Sequence, residues 1–212
     1  MRLTFAELQA KTRQLLRDEG TAAPEWSVAQ VQVAVNWAVT EVAKRLGLTQ
    51  VNAYLGSISP ASGKLKFAIP TDCIKVRRVS VKPAGGSYML LRKSSLGFED
   101  AKDPNWRSKT GTAARWVEED GSNIRVIPNP GAAQAVNIGY IQRPTTMSAP
   151  GDYPDARIPE AYHEALKYGA AYYLVKIAAT AEDMAIADNH LQTFRAMIGE
   201  GPLTLAVTEV DR

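Results

Sequence analysis

The sequence predicts an α+β fold: a four-helix bundle formed by N- and C-terminal helical hairpins, with an inserted antiparallel β region. Three observations predict it. Helix-start signatures and apolar residues spaced three and four apart occupy both ends of the chain. Nine of the twelve prolines fall between Asn52 and Pro154. That middle also carries short alternating apolar runs separated by glycine-containing turns. The organisation expected is 1–50 as the N-terminal helical hairpin, 51–157 as a β-rich insertion, 158–199 as the C-terminal hairpin and 200–212 as an interaction tail.

The helices follow from their caps and stripes. Thr4 and Glu7 make a T-x-x-E capping box, Phe5, Leu8, Thr12, Leu15 and Leu16 follow at helical spacing, and Gly20 offers a stop, so the first helix covers about 4–19. Ser27 and Gln30 repeat the box, with Trp26 and Val31 placed as a hydrophobic staple. Val35, Ala38, Val42 and Leu46 continue the stripe to Gly47, which suits the residue after a helix, giving 28–46. Pro159 suits the first helical position of a third helix, 159–178, whose Tyr162, Leu166, Gly169, Ala170, Tyr173 and Ile177 share a face. Gly169-Ala170-Ala171 allows a neighbouring helix to come close. Thr180 caps the fourth, 181–198, with Met184, Ala187, Leu191, Phe194 and Ile198 as its stripe.

The middle reads as strands. Leu65, Phe67 and Ile69 alternate; Val76 and Val79 slip phase across Arg77 and Arg78, as a β-bulge requires. Pro83–Ser87 turns the chain toward a returning strand at Tyr88–Arg92. Ala114–Glu118 and Ile124–Ile127 form a second hairpin about Glu119-Asp120-Gly121, and Val136–Ile141 is the last strand. A short helix around Ser95–Lys102 is compatible with the irregular stretch between the hairpins.

Composition narrows the function. The 45% hydrophobic and 22% charged content is that of an ordinary globular protein. A net charge of +3 is mild for a dedicated nucleic-acid binder. Cys73 is alone, which removes a disulfide framework and suggests a reducing compartment. Neither a signal peptide nor an apolar run long enough for a membrane span is expected.

Chemistry-bearing patterns are sparse. Gly56–Lys64 fails as a phosphate loop, because its glycine spacing is too long and Leu65 stands where Ser or Thr is needed. His163 and His190 lack zinc spacing and are expected on polar or half-buried helix faces. Cys73 reads as a small core residue, and Glu118 and Glu119 as solvated residues of a hairpin tip. No catalytic, cofactor-binding or metal-ligating residue is assigned, and the chain is not expected to be an enzyme.

Lys75, Arg77, Arg78, Lys82, Arg92 and Lys93 make the region 75–93 basic. A nucleic-acid-binding regulatory protein would use them on phosphates; a wet strand face protected from edge-to-edge pairing needs them equally. The second reading, or a protein contact, is preferred. A small hydrolase would need a triad assembled at distance. Trp106 and Arg107 suit a subunit interface, and Trp106 suits a loop anchor over the core equally well. The tail alternates Leu203, Leu205 and Val207, which a terminal strand would bring to one face.

Three passages together resemble the head–tail adaptor (connector) proteins of tailed bacteriophages. They are T-F-A-E-L-Q-A-K-T-R-Q-L-L with W-S-V-A-Q-V-Q-V-A-V-N-W-A-V-T-E-V between Thr4 and Val42; the series I-P-T-D-C-I-K-V-R-R-V, W-R-S-K-T-G-T-A-A-R-W, I-R-V-I-P-N-P and G-Y-I-Q-R-P from Ile69; and I-P-E-A-Y-H-E-A-L-K-Y-G-A-A-Y-Y-L from Ile158. The resemblance implies a virion structural protein at the head–tail interface, assembled in the host cytoplasm as a twelve-copy ring beneath the portal. The ring would extend the DNA channel, pass DNA without specific recognition and offer a platform to downstream tail or nozzle proteins. It implies no cofactor and no membrane. Leu203, Leu205, Val207 and Val210 are candidate portal or subunit contacts because the resemblance implies a C-terminal extension that commonly reaches the portal; Trp106, Arg107, Arg77 and Arg78 join them as residues of the kind that subunit interfaces use.

Overall fold

A computed structural model describes residues 2–18, 25–58, 66–178 and 181–199. In chain order the elements are α1 (Phe5–Leu15), α2 (Val28–Leu46), β1 (Gln50–Ile58), β2 (Lys66–Ala68), β3 (Cys73–Pro83), β4 (Met89–Lys93) and α3 (Leu96–Lys102). There follow β5 (Thr110–Gly111), β6 (Arg115–Glu119), β7 (Asn123–Ile127), β8 (Asn129–Pro130), β9 (Gln134–Gln142), α4 (His163–Ala178) and α5 (Ala181–Met197). The chain divides into two compact units, Met1–Thr49 with Pro144–Arg212, and Gln50–Arg143.

The first unit is helical. Both N-terminal helices open on true capping boxes: the Glu7 N–H donates to Thr4 Oγ1 and the Thr4 N–H to Glu7 Oε2, with Ser27 and Gln30 repeating the exchange. The next orphan donors of α1 go to the return segment, Phe5 N–H to Asp152 O at 2.7 Å and Ala6 N–H to Pro150 O at 3.0 Å. Asn36 of α2 holds the same segment through both its amide groups, to Met147 O and from Met147 N–H. One apolar core joins Phe5 and Leu8 of α1, Val31, Val35 and Val42 of α2, Leu166 and Leu174 of α4, and Phe194 of α5.

Details depart from the sequence reading. Helix α1 stops at Leu15, short of Gly20, because Arg17 turns left-handed (φ 59°) and Asp18 takes bonds from Arg13 and from the Glu25 N–H. Pro159 is not the first helical residue; with ψ 143° it precedes a single 3-10 turn, Glu160–Tyr162, before α4 begins. Ile177 and Met184 lie outside the core, at 57% and 42% exposure. Thr180 lies outside the described residues.

The second unit overturns the predicted fold class. It is no small antiparallel insertion in a four-helix bundle but a seven-stranded mixed sheet, ordered β1-β9-β3-β4-β6-β7-β2, that forms a nearly closed barrel, and it carries the fifth helix, α3. The pairing β4 with β6 is parallel. The long connection through α3 makes this possible, since a parallel neighbour needs a crossover where an antiparallel one needs only a turn. Strand β1 was not foreseen at all. The strand hairpins β3–β4 and β6–β7 form, and a register slip between Val76 and Arg78 is the bulge their phase required. Phe67, Val79, Val81, Trp116, Ile124, Val126, Val136 and Ile138 fill the interior.

Candidate functional site

Among the described residues the distinctive surfaces are built from the sheet's outer face and from the loop around Trp106. The bulge on β3 leaves Arg77 and Arg78 consecutively exposed. Arg78 lies across the bare backbone of β9, where a Cβ on Gly139 would fall 2.8 Å from its Cγ and Nε. Its Nη2 donates to Asn52 Oδ1 of β1 at 3.1 Å. Beside it the paired positions Tyr54, Asn137, Ser80 and Leu90 cross four strands. Of these, Asn137, Ser80 and Leu90 bound a shallow groove of about 380 Å³ together with Asn52, Arg78 and Tyr88. Tyr54 and Leu90 are largely exposed, at 62% and 68%. Sequence reasoning does not single out Asn52, Ser80 and Asn137, because it assigns no strand at 50–58 to complete their row; the alternation Val51, Ala53, Leu55 was the available signal.

Trp106 is buried with Val117 and Ile127. Its Nε1 donates to Asp100 at 2.7 Å, and Arg107 Nη1 donates to the same carboxylate oxygen. The Arg107 guanidinium sits 4.3 Å from the Trp106 ring centre. The indole and guanidinium bonds hold the Asp100 carboxyl below its ordinary range. Trp106 is thus the anchor, and half-exposed Arg107 is what the loop presents.

Glu119 corrects the expectation of a solvated hairpin tip. It is buried and surrounded by cations: Lys66 Nζ at 2.7 Å, Arg125 Nε at 3.0 Å and Arg107 Nε at 3.7 Å. Partial burial pushes its carboxyl up, but Lys66 and Arg125 together outweigh that and hold it below the ordinary carboxylate value. Glu118 is half-buried and pairs with Lys93 at 2.8 Å. Lys93 also lies over the Trp116 ring, and Lys82 over Tyr88. Part of the basic region 75–93 is therefore engaged within the fold, while Lys75 and Arg77 remain exposed.

His163 corrects another expectation. It is fully buried, and its Nδ1 accepts the Leu3 N–H at 3.1 Å. Burial lowers its pKa, with a backbone bond at Ile158 acting the other way. His190 is half-buried beside Tyr168. Cys73 opens β3, half-buried, with burial pushing its thiol up. Among the described residues no group of three or more His, Cys, Asp or Glu side chains is placed to hold a metal ion. No helix among them is long and apolar enough to cross a membrane. Sequence reasoning also missed a groove of about 430 Å³ in the helical unit, walled by Leu16, Trp26, Val175, Ile186 and His190. Leu203, Leu205, Val207 and Val210 lie outside the described residues.

No curated protein matches the sequence. A family model described as SU10 adaptor protein matches residues 3–209, which takes in both units. The chain therefore belongs to the SU10 adaptor protein family, a family of bacteriophage structural adaptors and not of enzymes.

Proposed function

We propose that this adaptor assembles as a ring of identical copies, twelve in number, beneath the phage portal. The ring extends the channel through which DNA passes and gives later tail proteins a platform. The observation that carries the reading is the family match from residue 3 to residue 209. Exposed side chains on each unit are consistent with surfaces meant to be covered. Ile177, Met184 and Ile186 stand out on the helical unit, and Tyr54, Tyr88 and Leu90 on the sheet. Arg77, Arg78 and Arg107 are the polar contacts proposed for subunit or portal interfaces. Trp106 supports Arg107 from beneath.

The test is electron microscopy of the purified protein mixed with its portal. A twelve-fold ring stacked on one face of the portal is the expected result. An adaptor that stays monomeric and unbound at micromolar concentration overturns the reading.

A further inference from the structure

We propose that the shallow groove on the outer face of the sheet is a docking site for an extended acidic segment of a partner protein. Docking there deepens the reading of Arg78 as an interface contact and rests on it. The groove lies wholly within the β unit, and its walls come from β1, β9, β3 and β4. At a strand spacing of roughly 4.8 Å these four strands measure roughly 14 Å across, the reach of about four extended residues.

Charge selects the occupant. No carboxylate lines the groove. Lys66 and Lys93 are engaged by Glu119 and Glu118. Arg77, Arg78 and Lys82, exposed along β3, pair with no carboxylate among the described residues. Arg78 is also held in position. Gly139 has no side chain to lift it off β9, and Asn52 Oδ1 takes a bond from its Nη2. The rest of the planar donor fork stays available to a carboxylate.

The other walls favour a polypeptide over a nucleic acid. Asn137, half-buried in the groove, bonds through neither end of its amide among the described residues. A peptide unit brings an N–H and a C=O together and can answer both ends; a phosphate brings acceptors only. Leu90, largely exposed, and the Tyr88 ring form an apolar wall that suits a side chain and gains nothing from a phosphate.

Spacing sets the order of residues in the segment. Ser80 pairs with Leu90, so Arg78, two residues back on β3, is the diagonal neighbour of Leu90 at roughly 7–8 Å. Side chains on one side of an extended chain recur at roughly 6.6–6.8 Å. An acidic residue seated on Arg78 therefore carries the residue two places along over Leu90, where an apolar side chain covers it. The segment recognised has aspartate or glutamate two places from an apolar residue.

Fluorescence anisotropy with the full chain tests this, in about 0.15 M salt so that long-range attraction is screened. The probe is a labelled peptide with blocked ends, Asp-Ser-Leu-Ser written twice, and the comparison is an oligothymidylate with as many negative charges. The peptide should bind, and Arg78→Ala, Leu90→Ser and Gly139→Ala should each weaken it about tenfold. The first two side chains are exposed, so those variants keep the fold. Gly139→Ala retains every recognising side chain and only pushes Arg78 from its seat. Lys102→Ala, off the groove, should bind as the native protein does. No binding at about 1 mM peptide overturns the proposal. So does binding indifferent to Arg78→Ala, or an oligothymidylate held more tightly than the peptide. Electron microscopy with portal separates this from the ring reading. A ring that forms while the peptide stays unbound sinks the groove and spares the ring. A bound peptide on a protein that never assembles sinks the ring and spares the groove.

Discussion

Phe194 closes on the bare α-carbon of Gly169: a Cβ at position 169 would lie 3.0 Å from Cε2 of that ring. It would also lie 3.0 Å from the Cβ of Ala38. Three helices, α2, α4 and α5, thus meet at a point that admits no methyl group without movement. Alanine gains about 1 kcal/mol over glycine in a helix interior, whereas overpacking costs about 1–3 kcal/mol. Squeezed from two sides, Gly169→Ala should lose about 1 kcal/mol net, and Gly169→Val more, in urea denaturation. A stabilised alanine variant would mean that the helices yield there.

Glu119 is the counter-ion of Arg125, which is itself buried. Glu119→Ala strands that guanidinium, and removal of one partner from a buried pair costs about 3 kcal/mol. Lys66 contributes little to this loss, because its side chain is 43% exposed. The carboxylate's folded-state pKa is lowered, so its contribution is present above about pH 4.5 and is lost as the pH falls below that. Acid titration of native and variant protein, followed by near-ultraviolet circular dichroism, should show the native protein losing more of its stability in that range.

His163 gives a second pH dependence, nearer neutrality. Burial lowers its pKa from 6.5, so below about pH 6.5 the unfolded chain binds the proton more readily than the folded one. Stability is full above that value and declines as the pH falls toward the folded-state pKa. Between pH 7.5 and 5.5 the native protein should lose more denaturation free energy than His163→Gln does. Equal losses would assign the acid sensitivity elsewhere.

Arg77 and Arg78 are exposed, and their replacement removes little that the monomer needs. The double change Arg77→Ala with Arg78→Ala should alter monomer stability by about 0.5 kcal/mol or less. Sedimentation with portal should nonetheless reveal weakened assembly. Undiminished assembly would remove this pair from the interface.

What sequence could reveal followed from how local the cause was. The starts at Thr4 and Ser27 were legible because each capping box is complete within four residues. The end of α1 was not, since Asp18 stops the helix through Arg13 behind it and Glu25 ahead. The bulge at Arg77 was visible as a phase slip within one strand. Strand β1 was hidden because Ala53 is a weak strand former and Gly56 resembles a turn, while its pairing partner β9 comes some eighty residues later. The parallel pairing of β4 with β6 leaves no local trace.

The candidate site follows the same rule. Glu119 looked solvated because Lys66 and Arg107, which enclose it, arrive from other elements. The buried His163 serves a backbone donor 160 positions away. Arg78 could be named from sequence, but its pose depends on Gly139 and Asn52 on two other strands.

The antiparallel pairing of Gln50 with Ile141 has a consequence for how the chain can be edited. The first and last strands of the β unit are neighbours, so its two exits stand about 5 Å apart. Seen from the helices, the whole of 50–143 is equivalent to a short loop, because the sheet rather than the helical unit bears the entropy of bringing those ends together. A few glycines and serines can therefore stand in for the entire barrel. The excised barrel, its termini already side by side, is equally a natural candidate for cyclisation or for grafting onto another scaffold.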